Sequence, residues 1–404
     1  MLILHPPPHQ KIPQRKGLEF YRLFKNNMSD FMTSTNSLYP SRINPDWETV
    51  DSKLCNENTG PVLKQIKEQN VISIIKKFII NNWPNIKNPD NFPGPQPVSL
   101  ERKDLVKLHK YNYYVCEKTD GMRYLLVSKM IDGFPTTFLV NRAFNVYFVS
   151  GLWSCVSIYD GTILDGEVVK EEGGTYTYFP HDCVMRAGIS YSQENFTKRN
   201  MHSREISVLW RKSDPEQQII GVLEVKFKTF YNFKDIKTLI VNNSLLKHDV
   251  DGIIFTPVGL PIQTGTQFSL IKWKEPTKHT FDFQIEIKGQ RIEYLLYEKM
   301  SLIKFKTVSK RSPAGKKILK ILNELIVEDK MINMNLDSSN KVNDTNIVEC
   351  YLEDDNYIPL KLRNDKTRPN SLRTLEKTIV NIEENITKEE LVVLAQQVNV
   401  NKKI

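Results

Sequence analysis

Tyr114-Val-Cys-Glu-Lys118-Thr-Asp120-Gly121-Met-Arg123 is the stretch from which the rest of the chain can be read. β-forming residues lead to a lysine, Asp120-Gly121 supplies turn chemistry, and Arg123 opens a second apolar run. The pattern predicts strand, turn, strand, with a cation on each arm. Lysine, aspartate and glycine at this spacing also arise by chance, so the motif alone fits a hairpin with surface charge. It is not alone. Leu164-Asp165-Gly166-Glu167, Val250-Asp251-Gly252-Ile-Ile-Phe255, Leu270-Ile-Lys272-Trp273-Lys274 and Leu362-Arg363-Asn364-Asp365-Lys366 follow in order. Each sets charge in or beside an expected strand. Singly each fits a turn or edge-strand charge; together and in this order they point to one site.

Outward from the motif, short strands are expected at 113–116, 123–128, 137–141, 146–149, 166–170, 175–179, 222–229 and 252–256, with a helix near 232–246. Val62, Ile66, Val71, Ile74, Ile75, Phe78 and Ile79 recur at helical spacing and predict a helix over 60–83. Beyond 276 a second strand-rich region suggests a small barrel, with a basic helix at 313–327, a polar stretch at 335–346 and strands at 347–352 and 357–362. Helical patterns fill 371–398, where Thr387-Lys-Glu-Glu is a capping-box candidate. The expected division is a flexible extension over 1–45, a catalytic domain over 46–276, a barrel over 277–370, and a helical segment over 371–404 that packs back on the first domain.

The 404 residues carry 56 Lys plus Arg against 47 Asp plus Glu, a formal charge of +9. That composition excludes wholesale disorder or a fibrous repeat and allows two to three domains. The basic excess suits a polyanionic partner, and equally a solvated lysine-rich surface. No apolar run is long enough for a membrane span, and the first residues lack a signal-peptide core. Five scattered cysteines without a CxxC pair indicate neither a zinc site nor a disulfide framework, and suit a reducing compartment.

The ordered motifs resemble the covalent nucleotidyltransferase superfamily, which includes mRNA-capping guanylyltransferases and ATP-dependent polynucleotide ligases. Arg123 after Lys-Thr-Asp-Gly-Met, the Leu-Ile-Lys-Trp-Lys run and Arg-Asn-Asp-Lys are similar to the capping branch, as is Asn91-Phe-Pro-Gly-Pro-Gln-Pro-Val-Ser-Leu100-Glu-Arg102. The resemblance implies an α+β fold: an ATP-grasp-like, antiparallel-sheet nucleotidyltransferase domain followed by a C-terminal OB-fold barrel. It implies an mRNA guanylyltransferase that moves GMP from GTP, through a covalent lysyl-GMP at Lys118, to the 5′-diphosphate end of RNA, forming the GpppN cap. Mg²⁺ or Mn²⁺ is the implied cofactor. A separate RNA triphosphatase and RNA polymerase are the implied partners, with methyltransferase activity on another chain. The implied location is the nucleus for a cellular enzyme, or a cytoplasmic site of transcription for a viral one.

Lysine attacks phosphorus only as the neutral amine, and its ordinary pKa is about 10.4. Burial and neighbouring positive charge lower that value. By resemblance, Lys272 and Lys274 come from a facing strand and contact the α-phosphate. Glu167 is the metal or ribose-side carboxylate, and Asp251 a second acidic candidate. Arg123 and Arg142 match arginines that hold sugar and phosphates. Asn141 stands where the family usually has an aspartate, which removes a local ion pair. Arg363 and Lys366 are implied on the β- and γ-phosphates once the barrel closes, with Asp365 positioning them or the metal. The guanine platform is His181 in the simplest alignment, or Phe179 if Pro180 shifts the register. The competing readings are an ATP-dependent DNA or RNA ligase and a noncatalytic single-strand-binding protein.

Overall fold

The computed structural model describes residues 38–56, 60–210, 223–334, 347–363 and 366–398. The motif at 114–123 does not close on itself as a hairpin. Its first arm, Tyr113–Thr119, enters a five-stranded sheet, and its second, Met122–Ile131, enters a nine-stranded one. Asp-Gly therefore turns the chain between sheets. Gly121 is needed there because a Cβ would lie 2.6 Å from the Val168 carbonyl oxygen.

The smaller sheet runs Tyr231–Asn232, Tyr113–Thr119, Val250–Pro257, Thr266–Trp273, Gln96–Ser99, antiparallel except for the last pair. The larger sheet is centred on Tyr176–Arg186, Thr162–Lys170, Met122–Ile131 and Phe134–Val140. Alternation along Met122–Ile131 buries both of its faces. Leu125 and Val127 pack with Ile75 and Ile79 of the helix Gln69–Asn82. Tyr124 and Leu126 pack with Leu164, Tyr178 and Ile206 on the other side.

A third sheet of five antiparallel strands follows, ordered Ser301–Ser309, Arg291–Glu298, Thr280–Lys288, Ile347–Glu353, Asn356–Leu362. Phe281 and Phe283 alternate onto one face and pack with Tyr294, Tyr357, and Ile318 of the helix Pro313–Met334. Each such fully buried side chain contributes about 1.5–3 kcal/mol.

The chain crosses between these bodies twice. Leu375 of the helix Leu372–Glu384 sits in the core of the third sheet, whereas Ile386, and Leu391 and Ala395 of Lys388–Gln397, complete the core of the smaller sheet. The break between the helices is Asn385, at φ 47, a left-handed position that asparagine tolerates. Thr387 caps the second helix, its hydroxyl accepting from Glu390 N at 3.2 Å. Arg102 spans the break, donating from Nε to the Glu384 carbonyl at 2.9 Å and from Nη1 to Glu390 at 2.8 Å.

Three expectations need correction. The segment expected as one helix over 60–83 is a strand, Val62–Ile66, followed by the helix Gln69–Asn82. Leu63 and Ile66 are buried where the strand joins the larger sheet, and that sheet pairing overrode the helical spacing of Val62 and Ile66. Of the strand expected at 222–229, only Glu224–Val225 forms among the described residues, which begin at 223. Part of the expected loose extension is paired: Leu38–Pro40 bonds to Trp153–Cys155. The rest of that extension up to residue 37, and the polar stretch at 335–346, lie outside the described residues.

Gly252 is the tightest backbone contact near the motif. It lies opposite Lys118 at φ 147, and a Cβ would sit 2.0 Å from the Trp273 carbonyl oxygen. Gly252→Ala should cost roughly 1–3 kcal/mol through backbone strain. Thermal melting should register a clear fall in Tm, and an unchanged Tm would contradict the close approach.

Candidate active site

Lys118 is the penultimate residue of its strand. The adjacent ladder pairs Val250 with Thr119 and Gly252 with Lys118, so Asp251 is bulged out of register. Its carboxylate takes Lys118 Nζ at 2.6 Å on one oxygen and Lys274 Nζ at 2.8 Å on the other. Burial pushes the Asp251 carboxyl up, but Lys118 first and then Lys274 outweigh it and hold its pKa below the ordinary value. Lys272 joins the same cleft of roughly 200 Å³, with His279 and Asn381. Burial first, then Lys118, lowers the Lys272 pKa, and Arg142 and Lys274 act in the same direction. The paired lysines were expected on a facing strand. They instead rise from the same sheet as Lys118, one strand removed, with Asp251 between.

Arg123 departs from expectation. It is buried and donates from Nε to Asp165 at 2.8 Å, from Nη2 to the other Asp165 oxygen, and from Nη1 to the Pro95 carbonyl at 2.8 Å. The Phe92 ring lies 5.2 Å from its guanidinium carbon. Gly94 makes room, since a Cβ would come 2.4 Å from Nη2. Arg123 thus ties the 91–97 segment to the sheet through Pro95 and Phe92. Its carboxylate partner, the aspartate of Asp165-Gly166-Glu167, needs that counter-charge because it is buried.

His181 shares Asp165, with Nε2 3.2 Å from Oδ1. The ladder pairs Asp165 with Asp182 and Gly166 with Pro180, so the register does shift at His181. Phe179 consequently stands opposite Glu167, buried and packed on His248 with ring centroids 5.0 Å apart. Glu167 lies opposite Arg123 and accepts from the Thr119 hydroxyl. Arg142 is exposed, but burial of its base and the nearby Arg123 lower its pKa, opposed by Asp165 and Glu167. Asn141 builds a turn instead of an ion pair, its Oδ1 accepting from the amides of Ala143 and Asn145, each at 3.0 Å.

Arg363 and Lys366 are not among the cleft-lining residues. Asp282, buried on Thr280–Lys288, accepts from Arg363 Nη1 at 3.1 Å, from Lys366 Nζ, and from Asn370 Nδ2 at 3.1 Å. Glu349 accepts from Arg363 at 3.4 Å and from the Thr280 hydroxyl at 2.6 Å. Asp365 lies outside the described residues.

The sequence reading missed Lys228. It is buried, 3.5 Å from Glu117, and donates to the Thr119 hydroxyl at 3.3 Å, one bond from Glu167. Burial is the largest influence and lowers its pKa, but Glu117, Cys116 and Glu167 together outweigh it and raise the value above the ordinary one. The only signal was its place in Lys226-Phe-Lys228, inside an apolar and aromatic run.

Comparison with known proteins places this geometry among others. Residues 56–276 match a family profile described as mRNA capping enzyme, catalytic domain, and 278–392 one described as mRNA capping enzyme, C-terminal domain. An mRNA-capping enzyme subunit alpha of Schizosaccharomyces pombe is 29% identical over 75% of this chain and 80% of the relative. That of Kluyveromyces lactis is 26% identical over 83% of this chain and 84% of its own length. An mRNA-capping enzyme of Danio rerio is 27% identical, covering 74% of this chain and 48% of the relative.

The Asp165–Arg123 pair gives a pH signature. Burial would raise the Asp165 pKa, but Arg123 and then His181 hold it well below the ordinary 3.8. A depressed folded pKa stabilises the fold above the unfolded value, and that contribution fades as pH falls below it. Asp165→Asn should cost about 3–5 kcal/mol near neutrality by leaving Arg123 buried and unpaired. Denaturant melts below the unfolded carboxyl value should show the wild-type advantage shrinking; a constant difference across acid pH would contradict the ion pair.

Proposed function

The chain belongs to the mRNA capping enzyme family and is an mRNA guanylyltransferase, and we propose that Lys118 is its nucleophile. The observation that supports this most directly is the cleft itself. Lys118 stands with Lys272 and Lys274 around one carboxylate, Asp251. The Lys118 amine attacks the α-phosphorus of GTP, a P–N bond forms, and pyrophosphate departs. An oxygen of the RNA 5′-diphosphate then attacks the same phosphorus, the P–N bond breaks, and the cap is released. Charge grows on the phosphoryl oxygens in both steps, where fixed ammonium groups stabilise it without reorganising.

Arg363 and Lys366 are the cations for the terminal phosphates, delivered when the C-terminal body closes. That five-stranded body is the OB-fold barrel of this reading, and its closure exchanges Asp282 for phosphate as the partner of both side chains. Arg142 is the arginine left for the nucleotide, since Arg123 is committed to Asp165. Phe179 or His181 forms the base platform. A divalent cation, Mg²⁺ or Mn²⁺, fits the donor set, because one or two carboxylates plus phosphate oxygens and water suit magnesium. Glu167 is the residue to hold it, with Asp365, and the ion would neutralise polyphosphate charge. The relatives named subunit alpha point to a companion subunit here too, an RNA triphosphatase on a separate chain acting near RNA polymerase, in the nucleus if the source is cellular.

Radiolabelled GTP with Mg²⁺ or Mn²⁺ should yield a labelled protein, acid-labile and base-stable, that Lys118→Ala abolishes. Label from ATP but not GTP would favour ligase chemistry, and RNA binding without any adduct would remove the catalytic reading. Lys274→Ala should slow adduct formation by about 10²–10³, the cost of losing one charge-stabilising donor. A wild-type rate in that variant would exclude Lys274 from the reacting group. Chelation of the divalent ion should stop labelling, with recovery on adding Mg²⁺ back.

A further inference from the structure

His279 stands where the chain first crosses from the smaller sheet to the barrel. It follows the short turn Pro276–Lys278 in an extended conformation, and Thr280 after it begins the first barrel strand. Its imidazole lines the cleft that holds Lys118, Asp251, Lys272 and Lys274. The side chain is half-buried, and among the described residues it has no hydrogen-bond or ion-pair partner. Its ring nitrogens are open to solvent, and the polar space bordering them is the cleft.

Its neighbours along the chain fix which part of a ligand it would meet. The Thr280 hydroxyl bonds Glu349, which holds Arg363. His279 therefore lies between the lysine cluster and the cations of the barrel. On the reading above, those two groups take the α-phosphate and the terminal phosphates respectively. We infer that His279 is a binding residue for the polyphosphate beyond the transferred phosphorus, donating a ring N–H to the group that leaves as pyrophosphate. This rests on the assignment of Lys118 and of Arg363 with Lys366, and extends it to a residue none of the motifs contains.

The chemistry suits the place. The charged groups facing the ring are Lys274, Asp251 and Lys272, with Lys118 in the same cleft. Burial first, then Lys274, pushes the His279 pKa down to about 4. Near neutral pH the ring is uncharged in the empty cleft, with one donor and one acceptor nitrogen. It adds a donor without adding a fourth cation to three that already repel one another. No proton is exchanged with the reacting atoms.

The test uses the full chain with His279→Ala and His279→Asn, the latter keeping an N–H donor on a side chain of similar reach. Three quantities are read: KM for GTP in adduct formation, the pyrophosphate concentration that half-saturates GTP formation from purified enzyme–GMP, and the inhibition constant of GMP. His279→Ala should raise the first two roughly tenfold, the effect of one hydrogen bond to a charged group. The GMP constant should not move, because GMP lacks the terminal phosphates, and His279→Asn should recover most of the loss. An unchanged pyrophosphate dependence in His279→Ala would overturn the inference. So would an equal weakening toward GMP, which marks a structural role at the crossing. A wild-type chain that forms no adduct with GTP would overturn the parent reading, and this one with it.

Discussion

Three ammonium groups do not gather in one cleft without a counter-charge. Two unit charges 4 Å apart repel by about 4 kcal/mol at a surface-like dielectric constant of about 20. Asp251 supplies the counter-charge, one oxygen to Lys118 and one to Lys274. To do so it leaves the ladder, and the bulge in turn demands a glycine beside it. Gly252 meets that demand, at a φ and a closeness to Trp273 that no other residue fits easily. The arrangement of the lysine strand, the paired-lysine strand and the strand between them follows from holding one carboxylate in place.

A second buried carboxylate organises the other sheet. Asp165 is neutralised by Arg123, and Arg123 carries the Asn91-Phe-Pro-Gly segment with it. Glu167, two residues on, accepts from the Thr119 hydroxyl. One stretch of strand thus carries a fully buried, ion-paired acid and, two residues on, a half-buried one. The two sheets meet through Thr119, which contacts both Glu167 and Lys228.

How much of this could be read from sequence depends on how local the cause was. Lys118, Asp251, Lys272 and Lys274 were legible because each motif announces its own strand and charge. The strand register that gathers them was not, and the paired lysines were placed on the wrong kind of neighbour. The Asp120-Gly121 turn looked like a hairpin because turn residues report a change of direction, not which sheet receives the outgoing strand. Arg123 looked available because its partner lies 42 residues away. The region at 60–83 satisfied both periodicities at Val62 and Ile66, and only the neighbouring strands decided. Lys228, His279 and Asp282 had no motif to flag them; their meaning is burial and position.

The double crossing has a consequence for how the protein is made. The core beneath the Lys118 sheet is finished by Ile386, Leu391 and Ala395, while all five strands of the third sheet lie between them and the last strand of the Lys118 sheet, Thr266–Trp273. A ribosome delivers the third sheet before the final wall of the Lys118 core. Domains emerging in order can fold as they appear, so the third sheet can be complete while the Lys118 sheet still exposes Val115, Phe255 and Ile271. The growing chain therefore has Lys118 and its paired lysines long before it has a finished cleft, and the sheet that carries them is completed only after residue 395 has been made.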